Sequence, residues 1–469
     1  MDNTIYFPIN KRPDIEKITK FSDKYFPNNI TSLFNENNPL RKYKAEKPNK
    51  NDFKDDPEGY EDAQTKYEAY LNYLKEFNED KDEMEKMISS GKLMWKRVSD
   101  IITEEIDEER KKYPIKQNYL GDCYLIAFLR RYKVFQPEKY YSLIRYYDFS
   151  KGYYEVNFFD ENGNNIVVYI DDFIIAKPDG TPFYASIQGE NSFIVCRYLL
   201  IEKAFAKMNG SYFNINGGYQ GIDACYSLSG VYPIYLEKDF FSLDEENIYN
   251  IINIILETKN LVLSGTKEEV TFNGIVGNHM YLVLSCYEYD EKSNIKIIKL
   301  DNPWGENSEE YIETFSLDLP EKYKNIEDNL KQYYSDNVKN GKIKILIKNF
   351  KEQFYILQIC MFNIISSEKK NIEKNFGGKF PWGTPPPDRL NMKGFSQRKG
   401  ILDILGVSAQ NQRKFFEKYY NIDIGLSELN DMFIKYGTNI EAFNKLMGIS
   451  GFFSWVNQIN PFNSLNFFK

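Results

Sequence analysis

The chain has 469 residues, 42% of them hydrophobic, which is enough for roughly two to four domains with proper cores. Its formal net charge of −8 argues against nucleic acid or an anionic membrane surface as the main partner. Five cysteines without paired spacing indicate neither a disulfide framework nor a zinc site, and this count suits a reducing compartment.

The N-terminal residues 1–7 lack the basic segment and apolar run of a signal peptide. No stretch of the sequence approaches the ~18 apolar residues of a membrane span. We therefore expect a protein of the cytoplasm or of another reducing compartment.

The first element with clear periodicity follows a polar, irregular segment over residues 1–58. From Tyr60 to Phe77 apolar residues recur at helical spacing between Glu, Lys and Asp, and Ser89-Ser90-Gly91 ends the helix. We interpret it as an amphipathic helix packed on the core. The alternative is a removable or inhibitory segment, since it is charged and precedes Trp95.

Strands and helices then alternate toward the middle of the chain. Residues 153–159 and 165–171 read as a hairpin around the turn residues Glu161-Asn162-Gly163. Helices are predicted over 193–208 and 246–259. Apolar runs typical of strands follow at 261–264, 280–287, 295–300, 342–347 and 355–362.

The expected organisation has four parts: an N-terminal extension (1–94), a helix-rich lobe (95–230), a β-rich lobe (231–365), and a linker with a helical C-terminal module (366–469). The two lobes would meet at a cleft. The linker is placed at the Gly- and Pro-rich residues 377–387. Short helices are predicted beyond it at 408–420, 426–436 and 440–447.

Three residues have the types and the order of a cysteine-nucleophile hydrolase: Cys123, then His279, the only histidine, then Asn302. An apolar run after Cys123 predicts a helix whose N-terminal amides lower the pKa of the thiol. His279 would take the thiol proton and return it to the leaving amine, and Asn302 would orient its ring.

Two further residues fit this chemistry. Gln117 lies six residues before the cysteine, where its amide could donate to an oxyanion, with the backbone amide of Cys123 as second donor. Trp304 could shield the Asn302–His279 hydrogen bond from water. From the residues alone the alternatives stay open: a buried core cysteine, a structural histidine, and a turn at Asn-Pro-Trp-Gly.

The segments around these residues resemble the calpains, a papain-like family of cytosolic, usually calcium-activated endopeptidases. Gln117-Asn-Tyr-Leu-Gly-Asp-Cys123-Tyr is similar to their Gln-Gly-x-x-Gly-Asp-Cys-Trp, and Asp301-Asn302-Pro-Trp304-Gly to their Arg-Asn-Pro-Trp-Gly. His279-Met-Tyr-Leu-Val resembles their His-Ala-Tyr-Ser-Val, and residues 200–212 resemble Leu-Leu-Glu-Lys-Ala-Tyr-Ala-Lys-Leu-Asn-Gly-Ser-Tyr. The similarity runs in order through roughly residues 20–363.

The resemblance implies an α+β fold with a papain-like, two-lobe protease core. It also implies that Cys123, His279 and Asn302 are catalytic, with Gln117 in the oxyanion hole and Trp304 as a shield. Gly218 matches a glycine whose backbone holds the substrate chain. Asn278 departs from the family, which has Gly there, and we expect this change to narrow the cleft or to alter a carbonyl that receives substrate.

The family's calcium ligands are largely unmatched. Pro114 replaces an Asp, the Glu before a Phe-Trp pair ahead of Glu202 is not reproduced, and Asn340-Gly-Lys342 stands for Asp-Gly-Glu. Glu306-Asn-Ser-Glu replaces Glu-x-Glu-Trp. Calcium needs several oxygen ligands around one point, so we expect no required cofactor and no metal site, although calcium stays possible.

The leading prediction is a cysteine endopeptidase acting on proteins or peptides, with no nucleic acid and no transmembrane segment. Two alternatives remain: a non-catalytic scaffold that binds a partner in the cleft, and acyl transfer to an amine rather than to water. Residues 366–469 match neither an EF-hand nor the β-sandwich that often follows in the family, so they are predicted to be a targeting, regulatory or partner-binding module.

Overall fold

The computed structural model describes fifteen stretches of the chain between residues 5 and 360. They are 5–9, 11–35, 46–54, 56–101, 115–160, 164–187, 197–217, 221–231, 233–236, 238–241, 244–257, 260–270, 275–288, 295–305 and 341–360. The predicted linker, the C-terminal helices and the turn at 161–163 therefore lie outside the described residues.

Helices and strands are mixed along these stretches, as an α+β fold requires. The helices are α1 (Ile30–Leu33), α2 (Pro57–Ser89), α3 (Val98–Ile101), α4 (Cys123–Phe135), α5 (Pro137–Ser142), α6 (Arg197–Met208), α7 (Tyr212–Ile215), α8 (Gly221–Ser229), α9 (Lys238–Phe241), α10 (Glu245–Glu257) and α11 (Ile347–Gln353). The strands are β1 (Ile5–Phe7), β2 (Met94–Arg97), β3 (Ile115–Lys116), β4 (Ile144–Asp148), β5 (Tyr153–Phe159), β6 (Asn165–Asp171), β7 (Phe173–Ala176), β8 (Ser186–Ile187), β9 (Ile234–Leu236), β10 (Leu261–Thr266), β11 (Met280–Glu288), β12 (Lys296–Asp301), β13 (Lys342–Leu346) and β14 (Phe354–Cys360).

The long helix α2 begins and ends at the signals that its sequence carries. Asp56 caps the first turn by accepting from the Gly59 amide at 2.9 Å, and Pro57 occupies a position where no intrahelical donor is needed. The helix ends before Gly91, which adopts a φ of 73°. Phe77 and Met84 are buried, so the C-terminal half of the helix packs on the core as predicted.

The predicted hairpin is confirmed with the same bounds. Strands β5 and β6 pair antiparallel from Tyr153–Asp171 to Phe159–Asn165. They form the centre of a four-stranded sheet in the order β1-β6-β5-β4. Both strands are buried over nearly their whole length, and helices α6 and α8 pack against them.

The second large sheet carries the strands of the later half, in the order β13-β12-β11-β10-β14-β9, and all of its pairs are antiparallel. The predicted strands 261–264, 280–287 and 295–300 are confirmed within one or two residues. The run 342–347 is a strand only to Leu346, because Ile347 begins α11. Helix α4 packs directly against β10 and β11, which brings the first half of the chain onto this sheet.

One expectation about the cysteines is wrong. Cys225 of α8 and Cys360 at the end of β14 are joined by a disulfide, with Cα atoms 6.9 Å apart. The two residues are 135 positions apart, so no local spacing of cysteines in the sequence predicts the pair. Cys123 and Cys286 are free and buried.

Candidate active site

Cys123 is the first residue of α4, as its sequence predicts. The helix follows the turn Gly121-Asp122, and the Asp122 carbonyl accepts the amides of Leu125 and Ile126 at 2.9 and 3.1 Å. The following residues are almost all buried because the helix is covered on nearly every side. This burial fixes the helix axis, and with it the position of the sulfur at the N-terminal end.

The surroundings of the thiol differ from the expectation in one respect. Burial raises the pKa of Cys123 to about 12, which outweighs the stabilisation that hydrogen bonds from the backbone amides of Met280, Tyr124 and Cys123 give the thiolate. The helix N-terminus is therefore present, but the resting side chain is a neutral thiol. The contact of the Cys123 sulfur with the Met280 amide brings the sulfur close to the histidine segment, because Met280 follows His279 directly.

His279 is held rigidly by a neighbouring strand. Its backbone amide donates to the Thr266 hydroxyl at 3.0 Å, and its carbonyl accepts from the Thr266 amide at 3.0 Å. The preceding Asn278 has a φ of 49°, a left-handed conformation that Asn tolerates better than most residues. At Gly277 a Cβ would overlap the Glu268 carbonyl oxygen. The turn before the histidine thus depends on both residues.

The imidazole of His279 meets the side chain of Asn302. Nε2 lies 2.9 Å from the Asn302 Oδ1, which also accepts the Trp304 amide at 3.1 Å. An amide oxygen can only accept, so Nε2 carries the proton and Nδ1 is left as the acceptor. Burial lowers the pKa of His279 to about 4, so the ring is neutral at physiological pH.

Two aromatic rings enclose this hydrogen bond. The centroid of Trp304 lies 4.8 Å from that of His279, and Tyr281 contacts the imidazole edge-on at 4.9 Å. His279 is 6% exposed and Asn302 is 2% exposed. Because the bond is shielded from water, few water molecules compete with the Asn302 Oδ1 for the proton on His279 Nε2.

Gln117 is near the cysteine but its side chain is already engaged. Nε2 donates to the Leu120 carbonyl at 2.7 Å, and Oε1 is buried without a hydrogen-bond partner. One of the two amide protons remains to serve a second acceptor. The Gln117 backbone amide also donates to the Pro303 carbonyl at 2.8 Å, which ties this residue to the Asn302 segment.

The segment before Gly218 lies against the cysteine turn, although Gly218 itself falls outside the described residues. Gly121 donates its amide to the Asn216 Oδ1 at 2.8 Å and accepts the Gly217 amide at 2.9 Å. A side chain at Gly121 would meet that Asn216 oxygen at 2.6 Å. A larger residue at this position would therefore displace the Asn216 side chain from its hydrogen bond with the Gly121 amide.

Most positions that would hold calcium also fall outside the described residues, including Pro114, Glu306 and Asn340. Where the structure is described, no group of three or more His, Cys, Asp or Glu residues converges as a metal site would require.

A pair of buried carboxyl groups behind Cys123 was not assigned a role from the sequence. Asp122 and Glu202 are both fully buried, and no group that can donate contacts either Asp122 oxygen. Burial raises the pKa of Asp122 to about 7, and burial together with the Asp122 charge raises that of Glu202 well above its usual value. Both shifts favour the protonated form, and a proton on Glu202 would let it donate to Asp122, which would turn two repelling charges into one hydrogen bond.

A second missed residue is Arg130, seven positions after Cys123 on the same helix. It donates to both carboxylate oxygens of Asp301 at 2.8 and 2.7 Å and to the Asn302 carbonyl at 2.9 Å. The only signal in the sequence is a pair of arginines, Arg130-Arg131, inside an otherwise apolar helix. Burial of such a side chain requires an acidic partner.

Comparison with known proteins is consistent across several relatives. The model of the calpain family cysteine proteases matches residues 73–361. Calpain-8 of Homo sapiens is 27% identical over 296 residues, which is 60% of this chain and 40% of that protein. Calpain-1 catalytic subunit of Bos taurus is 25% identical over 280 residues (57% and 38%), and Calpain-13 of Rattus norvegicus is 27% identical over 292 residues (57% and 40%). The match thus spans about two fifths of the length of these relatives.

Proposed function

Because the chain belongs to the calpain family of cysteine proteases, we propose that it is a cysteine endopeptidase that hydrolyses peptide bonds through a thioester on Cys123. The observation that carries the proposal is the bond between His279 Nε2 and the Asn302 Oδ1 at 2.9 Å. This bond leaves His279 Nδ1 as the basic atom. The backbone amide of the next residue, Met280, contacts the Cys123 sulfur.

In the proposed reaction the Cys123 thiol gives its proton to His279 Nδ1 while the sulfur attacks the peptide carbonyl carbon. The carbonyl oxygen becomes an oxyanion, which the Gln117 side-chain amide and the Cys123 backbone amide stabilise. His279 returns the proton to the leaving nitrogen as the C–N bond breaks. Water then attacks the thioester, with His279 as base, and releases the acid product and the thiol.

A neutral resting pair fits this sequence of steps. Burial favours both the uncharged thiol and the uncharged imidazole. Transfer of the thiol proton to His279 is then coupled to attack on the carbonyl carbon. The negative charge that forms moves onto the carbonyl oxygen, which receives the Gln117 side-chain amide and the Cys123 backbone amide. The thiol is thereby kept in its less reactive form until a substrate is bound.

The fold that we propose is papain-like, with a helix-rich lobe over 95–230 and a β-rich lobe over 231–365. Helix α4 with Cys123 belongs to the first, and the six-stranded sheet with His279 and Asn302 belongs to the second. Substrate would lie along the junction, with Gly218 and Asn278 beside it. The extension 1–94 and the module 366–469 would be regulatory or partner-binding parts.

The enzyme is proposed to work without calcium in the family's manner. At four matched ligand sites a carboxylate of the family is replaced or not reproduced in this chain. The buried pair Arg130–Asp301 connects α4 with the Asn302 segment through side chains of this chain alone.

The test is cleavage of casein by wild type and by Cys123→Ala, each with and without excess chelator. We expect wild-type activity that survives the chelator and is lost in the variant. Equal cleavage by Cys123→Ala would refute the protease assignment, and activity only with added calcium would refute the calcium proposal.

Two other functions remain to be separated by the same preparations. A scaffold that binds a partner in the cleft would fold normally but would not react with a thiol-directed peptide electrophile. Acyl transfer to an amine would join the acyl fragment to an added amine, and product masses would distinguish this from hydrolysis.

A further inference from the structure

We infer that Arg130 is a positioning residue, which clamps the Asn302 segment onto the helix that carries Cys123 and so sets the geometry of His279. The inference rests on the proposed function, because the position of His279 relative to Cys123 matters for the reaction only if both are catalytic. It concerns a residue that touches none of the reacting groups itself.

The helix places Arg130 where such a clamp is needed. Seven residues of an α-helix advance about 10 Å and return to within about 20° of the same face. Cys123 at the start of α4 and Arg130 two turns later therefore face the same sheet. The side chain of Arg130 is 6% exposed and that of Asp301 is 7% exposed, so solvent does not compete for these bonds.

Arg130 joins three acceptors in two consecutive residues. Nη2 binds both oxygens of Asp301, and Nη1 binds the Asn302 carbonyl at 2.9 Å. Only a guanidinium presents such a planar fork, so lysine cannot reproduce the contacts. At the position of Asp301 the family's motif has an arginine, and Arg130 could not form an ion pair with an arginine. The clamp therefore depends on Asp301 in this chain.

Asn302 connects the clamp to the imidazole. Its carbonyl is held by Arg130, its amide donates to the Gly341 carbonyl at 2.8 Å, and its side-chain oxygen accepts from His279. The Gln117 amide also holds the next residue, Pro303, but that contact is made by backbone atoms. Arg130 supplies the side-chain contact from the cysteine's own helix to the Asn302 backbone.

The single histidine makes the inference testable without turnover. In untagged protein labelled with ¹⁵N-histidine, His279 gives the only imidazole signals. In the wild type we expect a neutral ring protonated at Nε2, with a slowly exchanging proton held by Asn302. If the clamp is lost, we expect that proton to exchange rapidly and the two neutral tautomers to mix.

The decisive variant replaces the whole ion pair, Arg130→Met with Asp301→Leu. Exchanging a buried pair for apolar residues of similar volume is often tolerated, whereas removing one partner leaves a buried charge. We expect the melting temperature to be kept, kcat for casein-derived peptides to fall about 10²-fold with KM within about twofold, and the histidine signals to change. Arg130→Lys, which keeps the charge, should change the signals in the same direction and serves as the test if the double variant is unstable.

A matched control exists away from the site. Arg97 binds the Asp172 carboxylate and, at 2.8 Å, the Phe21 carbonyl, so it repeats the chemistry of Arg130. Arg97→Met with Asp172→Leu should leave the histidine signals and kcat as in the wild type.

Each remaining result decides the matter. A folded Arg130→Met/Asp301→Leu protein with the wild-type histidine signals overturns the inference, whatever its kcat. Changed signals with an unchanged kcat also overturn it, because the position would not matter for the reaction. If the wild type cleaves nothing but its signals depend on Arg130, the proposed function fails and the clamp itself stands.

Discussion

His279 and Asn302, 23 residues apart in the chain, are joined by a 2.9 Å hydrogen bond from Nε2 to Oδ1. The same oxygen receives the Trp304 amide, which fixes the orientation of the Asn302 side chain. This bond selects one tautomer of the ring, so the basic nitrogen faces away from Asn302.

Removing the Asn302 side chain should therefore impair catalysis more than stability. For Asn302→Ala we expect kcat to fall by about 10- to 100-fold, part of the ~10²–10⁴ that general acid–base catalysis contributes, because the ring loses its tautomer and orientation. Steady-state kinetics on casein-derived peptides would measure the change. The control is Asn157→Ala, which removes a side-chain hydrogen bond from β5 to the Ser142 carbonyl at the end of α5. A kcat equal to that of the control would show that Asn302 does not orient the base.

The site was partly predictable because its key residues carry local signals. A Gly-Asp turn followed by an apolar run predicts the helix at Cys123, and helix α4 begins there. The apolar run over residues 280–287 likewise predicts a strand, and β11 begins at Met280. Such signals depend on neighbours within a few residues, which the sequence displays directly.

The unpredicted features all join residues far apart in the chain. Arg130 and Asp301 are separated by 171 residues, and Cys225 and Cys360 by 135. Burial also changed the expected state of Cys123, since the desolvation of a thiolate depends on every element packed around it. Nothing in the residues next to Cys123 reports that environment.

Gln117 should be needed for the transition state and much less for substrate binding. Gln117→Glu keeps the shape of the side chain but replaces the amide donor with a carboxylate. We expect kcat to fall about 10²–10³-fold, the usual loss for one oxyanion donor, with KM nearly unchanged. Asn118 is the next residue, and its side-chain amide donates to the Tyr184 carbonyl. The variant Asn118→Asp therefore controls for the added negative charge on this loop. A large rise in KM with kcat unchanged would contradict the assignment.

The left-handed backbone conformation of Asn278 predicts that substitutions there change the stability by different amounts. Ala at a φ of 49° should cost about 1 kcal/mol, because the left-handed region disfavours a Cβ without a local hydrogen bond, whereas Gly should differ from wild type by less than about 0.5 kcal/mol. The melting temperatures of Asn278→Ala and Asn278→Gly would give the order. A lower stability for the glycine variant than for the alanine variant would show that backbone conformation does not control this turn.

The raised pKa values of Asp122 and Glu202 predict how stability depends on pH. The pKa of Asp122 is about 7 in the folded protein and near 3.8 in the unfolded chain. Between these values the folded state holds a proton that the unfolded state has released, so the free energy of unfolding should fall as pH rises from about 4 to 7. In Glu202→Gln the new amide donates to Asp122 and favours its charged form, and the fall should become smaller.

Urea unfolding at several pH values between 4 and 8 would measure this effect in wild type and in Glu202→Gln. Glu155→Gln is the matched control, because Glu155 is also a buried carboxyl group but pairs with Arg12 at 2.6 Å instead of facing a second carboxyl group. That variant should be less stable than wild type, with the wild-type fall retained over this range. A fall of the same size in Glu202→Gln as in wild type would mean that the proton is held elsewhere. In that case the Asp122 charge would stand beside Cys123 at neutral pH and oppose ionisation of the thiol.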